Sequence, residues 1–186
     1  MKVIALVGSP RPSGNTSVLV DKALAELANL GIETEKILLS RYNIKPCLGH
    51  DKCSTLRICV QKDDTASILD KFCKADGVIL ATPVYYYNVS AQLKTFIDRN
   101  YFLYTHGRKS QARVIGIIVV AEEEGLEDTV NAVKRFASLS FDVTNENVLI
   151  VQGYAKKLGD VKENNAVLKQ AQELGRQMGK KLKVIG

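Results

Sequence analysis

The sequence lacks the features that would place it in a membrane or among disulfide-rich secreted proteins. It has 186 residues with no tryptophan, four prolines and four cysteines, and its longest apolar run covers only residues 114–121. A bilayer-spanning helix needs roughly 20 apolar residues. The N-terminal run, residues 3–7, is also shorter than the roughly 7–15 residues of a signal-peptide core. We therefore expect a cytoplasmic protein with no membrane partner, whose cysteines do not form a disulfide framework.

The composition is otherwise that of an ordinary globular domain. Apolar residues make up 46% and charged residues 25% of the chain, which fits neither a disordered nor a fibrous protein. No internal repeat, low-complexity tract or linker divides the sequence, so we expect a single domain over residues 1–186. The one irregular stretch, residues 40–62, is predicted to be an insertion after the second strand, and it holds three of the four cysteines.

The net charge of +6 is concentrated near the C-terminus. Residues 156–183 contain eight basic and three acidic residues, a balance of +5. Five basic residues recur at helical spacing and would form one stripe on a helix: Lys162, Lys169, Arg176, Lys180 and Lys183. An apolar stripe lies opposite, formed by Val167, Ala171, Leu174, Met178 and Leu182. This pattern favours the solvated face of a C-terminal helix over a nucleic-acid surface, which would usually add aromatic residues for stacking.

Short apolar runs alternate along the chain with amphipathic helical stretches. In four of the runs the apolarity is continuous, which indicates strands covered by helices on both faces, as in a parallel sheet. The run at residues 32–39 is more polar, as an edge strand would be. The order βαβαβαβαβα predicts a three-layer α/β domain with five strands in the order 2-1-3-4-5. A ligand would bind in the crevice at the carboxyl ends of strands 1 and 3. The predicted strands are residues 3–7, 32–39, 78–81, 114–120 and 148–151.

The loop after the first strand, residues 8–16 (GSPRPSGNT), has the composition of a phosphate-binding loop. Its glycines let the backbone approach a ligand, Arg11 is a charged donor, and the following helix offers free N–H groups at its N-terminus. The loop has neither the dinucleotide spacing Gly-x-Gly-x-x-Gly nor the Gly-Lys-Ser/Thr ending of triphosphatases, which favours a terminal monophosphate. The alternative is a structural turn in which Asn15 or Thr16 caps the helix.

The segment after the third strand, residues 82–88, contains three successive tyrosines. Their rings and hydroxyl groups would form a wall suited to a flat heteroaromatic ligand, whereas the alternative is a tyrosine-rich surface turn. Ser90 is expected to cap a helix over residues 91–98. Because this wall would stand beside the phosphate loop, we favour a flat phosphorylated ligand.

These segments resemble the family of NAD(P)H-dependent FMN reductases, multimeric flavodoxins and iron-sulfur flavoproteins. The matching motifs are GSPRPSGNT at 8–16, NIKPC at 43–47, KDD at 62–64 and ADGVILATPVYYYNVSAQLKTFIDR at 75–99. They cover about the first 100 residues, and the rest matches only in its βαβα pattern. The resemblance implies a flavodoxin-like fold, non-covalently bound FMN, and a homodimer or homotetramer with the flavin near a subunit interface.

The resemblance also implies which residues contact FMN. The phosphate would be held by the first loop, and the isoalloxazine ring would lie along the second. The implied phosphate ligands are Ser9, Arg11, Asn15 and Thr16, with Ser13 and Gly14 shaping the loop. The implied ring contacts are Pro83, Val84, Tyr85 and Tyr86, with Asn88 near the ring.

The sequence departs from the family in the loop after the fourth strand, which is usually rich in glycine. Here it contains Glu122, Glu123 and Glu124 followed by the single glycine Gly125. A carboxylate near the pyrimidine end of the flavin would disfavour the anionic reduced form through like-charge repulsion. We therefore expect a solvated acidic turn, or the opening of the next helix, in preference to a flavin contact.

The cysteine-containing insertion has the pattern Cys47-x-x-His50-x-x-Cys53-x5-Cys59. Iron-sulfur members of the family have a compact cysteine run here, with a cysteine in place of His50. Iron-sulfur clusters ordinarily use four thiolates, and zinc sites usually pair their ligands across longer loops, so we favour metal-free thiols over a cluster or zinc. Cys73 is expected in the core, and His106 on the surface.

We expect from the resemblance an FMN-dependent oxidoreductase. It would pass electrons from NAD(P)H through FMN to a quinone, flavin or other small-molecule acceptor. No general acid or base is predicted, because the cofactor carries the difficult chemistry. The main alternative is an electron carrier of the flavodoxin or iron-sulfur flavoprotein type that reacts with protein partners. The basic charge favours the reductase over flavodoxin-type carriers, which tend to be acidic. A non-redox nucleotide sensor is the remaining alternative.

Overall fold

Five parallel strands form the predicted sheet in a computed structural model that describes residues 1–56 and 59–185. The strands are β1 Lys2–Val7, β2 Glu33–Leu38, β3 Gly77–Tyr85, β5 Val114–Ala121 and β6 Val148–Tyr154. Their order, β2-β1-β3-β5-β6, confirms the predicted 2-1-3-4-5 arrangement. A sixth strand, β4 Asn88–Val89, pairs antiparallel with the end of β3. The apolar pattern missed it because it is only two residues long.

Within residues 1–56 and 59–185, six α-helices accompany this sheet, and both of its faces are covered. Alternate residues of β1 illustrate the arrangement, since Ile4 and Leu6 join one buried cluster while Val3, Ala5 and Val7 join the other. Burial on both sides explains why β1, β3 and β5 are continuously apolar, whereas the edge strands β2 and β6 are only partly buried. The helices are α1 Asn15–Asn29, α2 Thr65–Lys74, α3 Ala91–Arg99, α4 Tyr101–Thr105, α5 Leu126–Ser140 and α6 Asn165–Ile185.

Helices α1 and α6 pack together on one face, and α2, α3 and α5 contribute to the core on the other. The predicted apolar stripe of α6 is buried, and Lys169, Arg176, Lys180 and Lys183 are exposed, which confirms that this helix is amphipathic. Lys162 was predicted on the same basic stripe, but it lies before the helix, in the short 3-10 turn Asp160–Lys162. Within residues 1–56 and 59–185, no helix combines the length and apolarity that crossing a membrane requires.

Candidate functional site

The carboxyl ends of β1 and β3 are joined directly through Gly8. Its N–H donates to the carbonyl of Ala81 at 2.7 Å, and its carbonyl accepts a hydrogen bond from the Ser90 hydroxyl at 2.6 Å. A Cβ atom at Gly8 would lie only 2.7 Å from both the Leu93 Cβ and the Ser90 Oγ. Glycine at this position therefore allows the two strand-end loops to pack against each other.

Ser90 also begins α3, as the sequence predicted. Its Oγ accepts the N–H of Leu93 at 3.3 Å, and its own N–H donates to the Thr82 Oγ1 at 3.0 Å. A single buried serine thus caps a helix and fixes the spacing of the first and second loops.

The first loop is compact and ends at a helix N-terminus. The Ser9 hydroxyl accepts the N–H of Arg11 and donates to the Arg11 carbonyl, each at 3.2 Å, and the Gly14 N–H donates to the same carbonyl at 3.0 Å. Gly14 is the N-cap of α1 and has no side chain to occupy the first N–H groups of that helix. These groups, with the helix dipole, suit an anion such as a phosphate.

The predicted phosphate ligands differ in their surroundings. Ser9, Gly14 and Thr16 are buried, whereas Arg11 and Ser13 are exposed at the rim of the loop. The Asn15 amide is engaged by the segment after β6: its Nδ2 donates to the Lys157 carbonyl, and its Oδ1 accepts the Gly159 N–H, both at 2.8 Å. With these two hydrogen bonds Asn15 joins the segments that follow β1 and β6, a role that its position in the sequence did not indicate.

The second loop is a tight hairpin turn between β3 and β4. Tyr85 pairs with Asn88, which leaves Tyr86 and Tyr87 as the two central residues, with φ angles of 50° and 61°. Such turns usually contain asparagine or glycine, because a left-handed conformation costs other residues about 1–2 kcal/mol each. The Tyr86 side chain is nevertheless fully exposed. Strained backbone conformations of this kind cluster at active sites and ligand-binding sites.

The other predicted ring contacts flank this turn. Pro83 and Val84 are half-buried, while Tyr85 and Asn88 are exposed. The Asn88 Oδ1 accepts the N–H of Val89 at 2.8 Å, which ties this side chain to its own strand.

The third loop, after β5, packs against the tyrosine turn. Glu124 Oε2 accepts a hydrogen bond from the Tyr87 hydroxyl at 2.5 Å, and this bond to a carboxylate raises the pKa of Tyr87. Gly125 has a φ of 81°, and a Cβ there would lie 2.9 Å from Tyr87 Cα and Val84 Cγ1.

Between the two loops lies a cavity of about 260 Å³, lined by Val84, Tyr86, Tyr87 and Glu122, Glu123 and Glu124. The acidic loop is an exposed turn before α5, and Glu123 pairs with Lys156. Its contact with the tyrosine turn was not foreseen from the sequence.

The cysteine loop surrounds a separate cavity of about 390 Å³, lined in part by Cys47, His50, Cys53 and Cys59. Burial raises the pKa of the Cys53 thiol, and His50 Nδ1 accepts the Lys52 N–H at 3.0 Å. Among residues 1–56 and 59–185, no three His, Cys, Asp or Glu side chains are grouped to hold one metal ion.

Cys73 and His106, the other two residues discussed in the sequence analysis, lie outside the strand-end loops and the cysteine loop. Cys73 packs against the core, as expected, but it is only half-buried where a buried cysteine was predicted. It lies in the last turn of α2, where partial burial raises the pKa of the thiol. His106 ends α4, with Nδ1 2.8 Å from the Phe102 carbonyl oxygen, and it is half-buried rather than fully on the surface.

A buried ion pair anchors the cysteine loop, and sequence reasoning missed it. Arg99, the last residue of α3, contacts the Asp63 carboxylate through both Nη1 and Nη2, and it also donates to the Lys45 carbonyl and to the Cys59 sulfur. The sequence contained one sign of this pair: Asp63 and Arg99 both lie in motifs that match the family, KDD at 62–64 and the segment at 75–99.

The sequence matches the family described as NADPH-dependent FMN reductase over residues 1–156. An iron-sulfur flavoprotein of Methanocaldococcus jannaschii is 38% identical over 192 residues, which cover 100% of this chain and 99% of that protein. One of Archaeoglobus fulgidus is 38% identical over 177 residues, covering 94% and 77%. The solved NAD(P)H:quinone oxidoreductase from Methanothermobacter marburgensis superposes with a TM-score of 0.72 at 20% identity, covering 96% of each chain, and therefore shares the fold.

Proposed function

The chain belongs to the NADPH-dependent FMN reductase family, and from this premise we propose that it is an oxidoreductase that binds FMN at its strand-end loops. It takes electrons from NADH or NADPH and delivers them to a small-molecule acceptor such as a quinone or a free flavin. The observation that carries the proposal is the packing of the phosphate loop, the tyrosine turn and the acidic loop around the carboxyl ends of β1, β3 and β5.

The residues present fit the phosphate end of FMN. Gly14 leaves the first N–H groups of α1 available, and Arg11 is exposed at the rim, where its guanidinium can reach a dianionic group. The loop holds one phosphate without the additional glycines that a pyrophosphate requires. Ser9, Ser13, Asn15 and Thr16 complete the proposed set of phosphate-loop residues.

The tyrosine turn fits the ring end. The isoalloxazine would lie against the backbone and side chains of Pro83, Val84, Tyr85 and Tyr86, with Asn88 beside it. The Tyr86 ring is fully exposed, so a flat heterocycle can stack against its face.

The bound flavin would supply the redox chemistry, accepting hydride from the nicotinamide and passing electrons on. The task of the protein is then to bind and orient the cofactor on one side while the other side stays open to the two substrates in turn. No side chain at these loops is assigned as a general acid or base. We further propose that the active form is a homodimer or homotetramer.

The experiment that tests the proposal is anaerobic reduction of FMN-reconstituted protein. We expect the visible flavin absorbance to bleach on addition of NADH or NADPH without any protein partner, and to return on addition of a quinone. A protein that shows no flavin absorbance after reconstitution with FMN would contradict the assignment. Analytical ultracentrifugation of the same sample determines the oligomeric state.

The second candidate function is an electron carrier of the iron-sulfur flavoprotein type. It is favoured by the common cavity that Cys47, His50, Cys53 and Cys59 line, and by the names of the 38% identical relatives. The donor set falls short of the usual four thiolates, because His50 replaces one and its Nδ1 already accepts a backbone hydrogen bond. We therefore propose metal-free thiols and route no electron through this loop.

Two measurements separate the candidates. Iron and acid-labile sulfide close to zero after anaerobic purification support metal-free thiols, whereas about four of each per chain would establish a cluster. Flavin that is reduced by a protein donor but not by reduced nicotinamide would establish the carrier.

A further inference from the structure

The tyrosine turn needs support from outside its own hairpin. Both of its central residues, Tyr86 and Tyr87, have positive φ angles without being glycine or asparagine. The hairpin contributes only two residue pairs, Val84 with Val89 and Tyr85 with Asn88. Tyr86 is fully exposed, so burial of its side chain does not stabilise the conformation. A strained conformation persists only where neighbouring structure enforces it.

The loop after β5 supplies that support. The Tyr87 hydroxyl donates to the Glu124 carboxylate at 2.5 Å, a charge-assisted bond that is stronger than one to a neutral acceptor. Beneath it, Gly125 lies so close to the Tyr87 backbone that a Cβ would be 2.9 Å from Tyr87 Cα. Lys156 pairs with Glu123, which leaves the Glu124 carboxylate to Tyr87.

We propose that Glu124 is a positioning residue of the flavin site: through Tyr87 it holds the Tyr86–Tyr87 turn in the conformation that receives the isoalloxazine ring. The proposal rests on the proposed FMN site. It gives the acidic loop, where the family resemblance implies glycines, a specific task in this chain. A turn that is already fixed loses less conformational entropy when the cofactor binds. Removing the hydrogen bond between Glu124 and Tyr87 is therefore expected to weaken FMN affinity.

The test compares the FMN dissociation constants of the wild-type protein and of variants by fluorescence titration. Glu124→Ala is expected to raise the dissociation constant about 5- to 10-fold, because a hydrogen bond to a charged group is removed. Tyr87→Phe removes the same bond and is expected to have a similar effect. Glu124→Gln keeps an acceptor oxygen, and we expect it to restore most of the affinity, to within about threefold of the wild type.

Three controls distinguish positioning from charge, from independent effects of the two residues and from folding. Glu127→Ala removes an equal charge from an exposed position three residues further along the chain, outside the lining of the 260 Å³ cavity. It is expected to leave FMN affinity the same or slightly higher, since FMN is itself an anion. The double variant Tyr87→Phe/Glu124→Ala should bind FMN no more weakly than either single variant, because both remove one interaction. Thermal unfolding of the FMN-free variants is expected within about 2 °C of the wild type, because both side chains are exposed.

The outcomes separate this inference from the proposed function. Wild-type protein that does not bind FMN would contradict the proposed function itself. Wild-type protein that binds FMN while Glu124→Ala and Tyr87→Phe bind equally well would overturn the positioning role alone. Equal weakening by Glu127→Ala and Glu124→Ala would also overturn it, because the effect would then come from the negative charge near the site.

Discussion

The guanidinium of Arg99 and the carboxylate of Asp63 form an ion pair in which neither side chain is more than 2% exposed. Nη1 lies 2.5 Å from Oδ2 and Nη2 lies 3.3 Å from Oδ1. Arg99 ends the helix that Ser90 begins beside the proposed flavin site, and Asp63 closes the cysteine insertion. The pair therefore joins the cysteine loop to the helix that leads away from the strand-end loops.

Replacing Asp63 by asparagine is expected to destabilise the fold strongly. The change leaves the Arg99 guanidinium buried without its counter-charge, which typically costs about 3–5 kcal/mol. The free energy of unfolding from urea titration measures the effect. Asp70→Asn is the matched control, because Asp70 forms an exposed pair with Lys74 one helical turn away, and such pairs contribute little. Equal stability of the two variants would show that the buried pair is not a main anchor.

The same pair predicts a loss of stability in acid. Burial opposes ionisation of Asp63, yet hydrogen bonds from Arg99 and from the backbone N–H groups of Lys45 and Thr65 lower its pKa to about 2. A folded-state pKa below the ordinary 3.8 stabilises the native state above that pH, and the contribution disappears as pH falls through about 2.

We therefore expect this group to remove about 2 kcal/mol from the free energy of unfolding between about pH 4 and pH 2. The measurement is urea unfolding across that range for the wild type and for Asp63→Asn, whose difference isolates Asp63 from the other carboxylates. Identical slopes in the two proteins would contradict the assigned pKa.

Features that depend on a short stretch of sequence could be predicted, whereas contacts between residues far apart in the chain could not. Apolar runs predicted the five strands, because burial leaves a mark within each strand, and their order followed from the usual topology of doubly wound domains. Ser90 was predicted as a cap from its position directly before a helical pattern. The pairs Arg99–Asp63 and Tyr87–Glu124 were missed, because they join residues 36 and 37 positions apart with no periodic pattern between them.

In the candidate site too, the local features were predicted and the long-range contacts were not. The phosphate loop and the tyrosines were found from composition and from the family resemblance. The bonds of Asn15 to Lys157 and Gly159 depend on how the segment after β6 folds back, and composition carries no information on that.

Two glycines of α6 are expected to respond differently to alanine. At Gly175 a Cβ would lie 2.3 Å from the backbone oxygen of Ala23, whereas at Gly179 the nearest atom, at 2.5 Å, is the side-chain Leu30 Cδ1. Alanine gains about 1 kcal/mol of helix propensity at either position. A side chain can move aside more readily than the backbone of α1.

Gly175→Ala should therefore lower the free energy of unfolding by about 1–3 kcal/mol, and Gly179→Ala should leave it unchanged or slightly higher. Urea titration of the two variants provides the comparison. If both variants were destabilised equally, the closest approach of α1 and α6 would not be at Gly175.

The assignment of the phosphate loop is tested by comparing FMN with riboflavin, which lacks the phosphate. Arg11→Ala is expected to raise the FMN dissociation constant about tenfold, because a charged donor to the phosphate is removed, and Thr16→Ala is expected to raise it less. Neither change should alter the affinity for riboflavin, because the ring would be held by the tyrosine turn. Fluorescence titration with both ligands separates the two contributions. A variant that loses the same factor for riboflavin as for FMN would show that residues 8–16 shape the site as a whole and do not bind the phosphate.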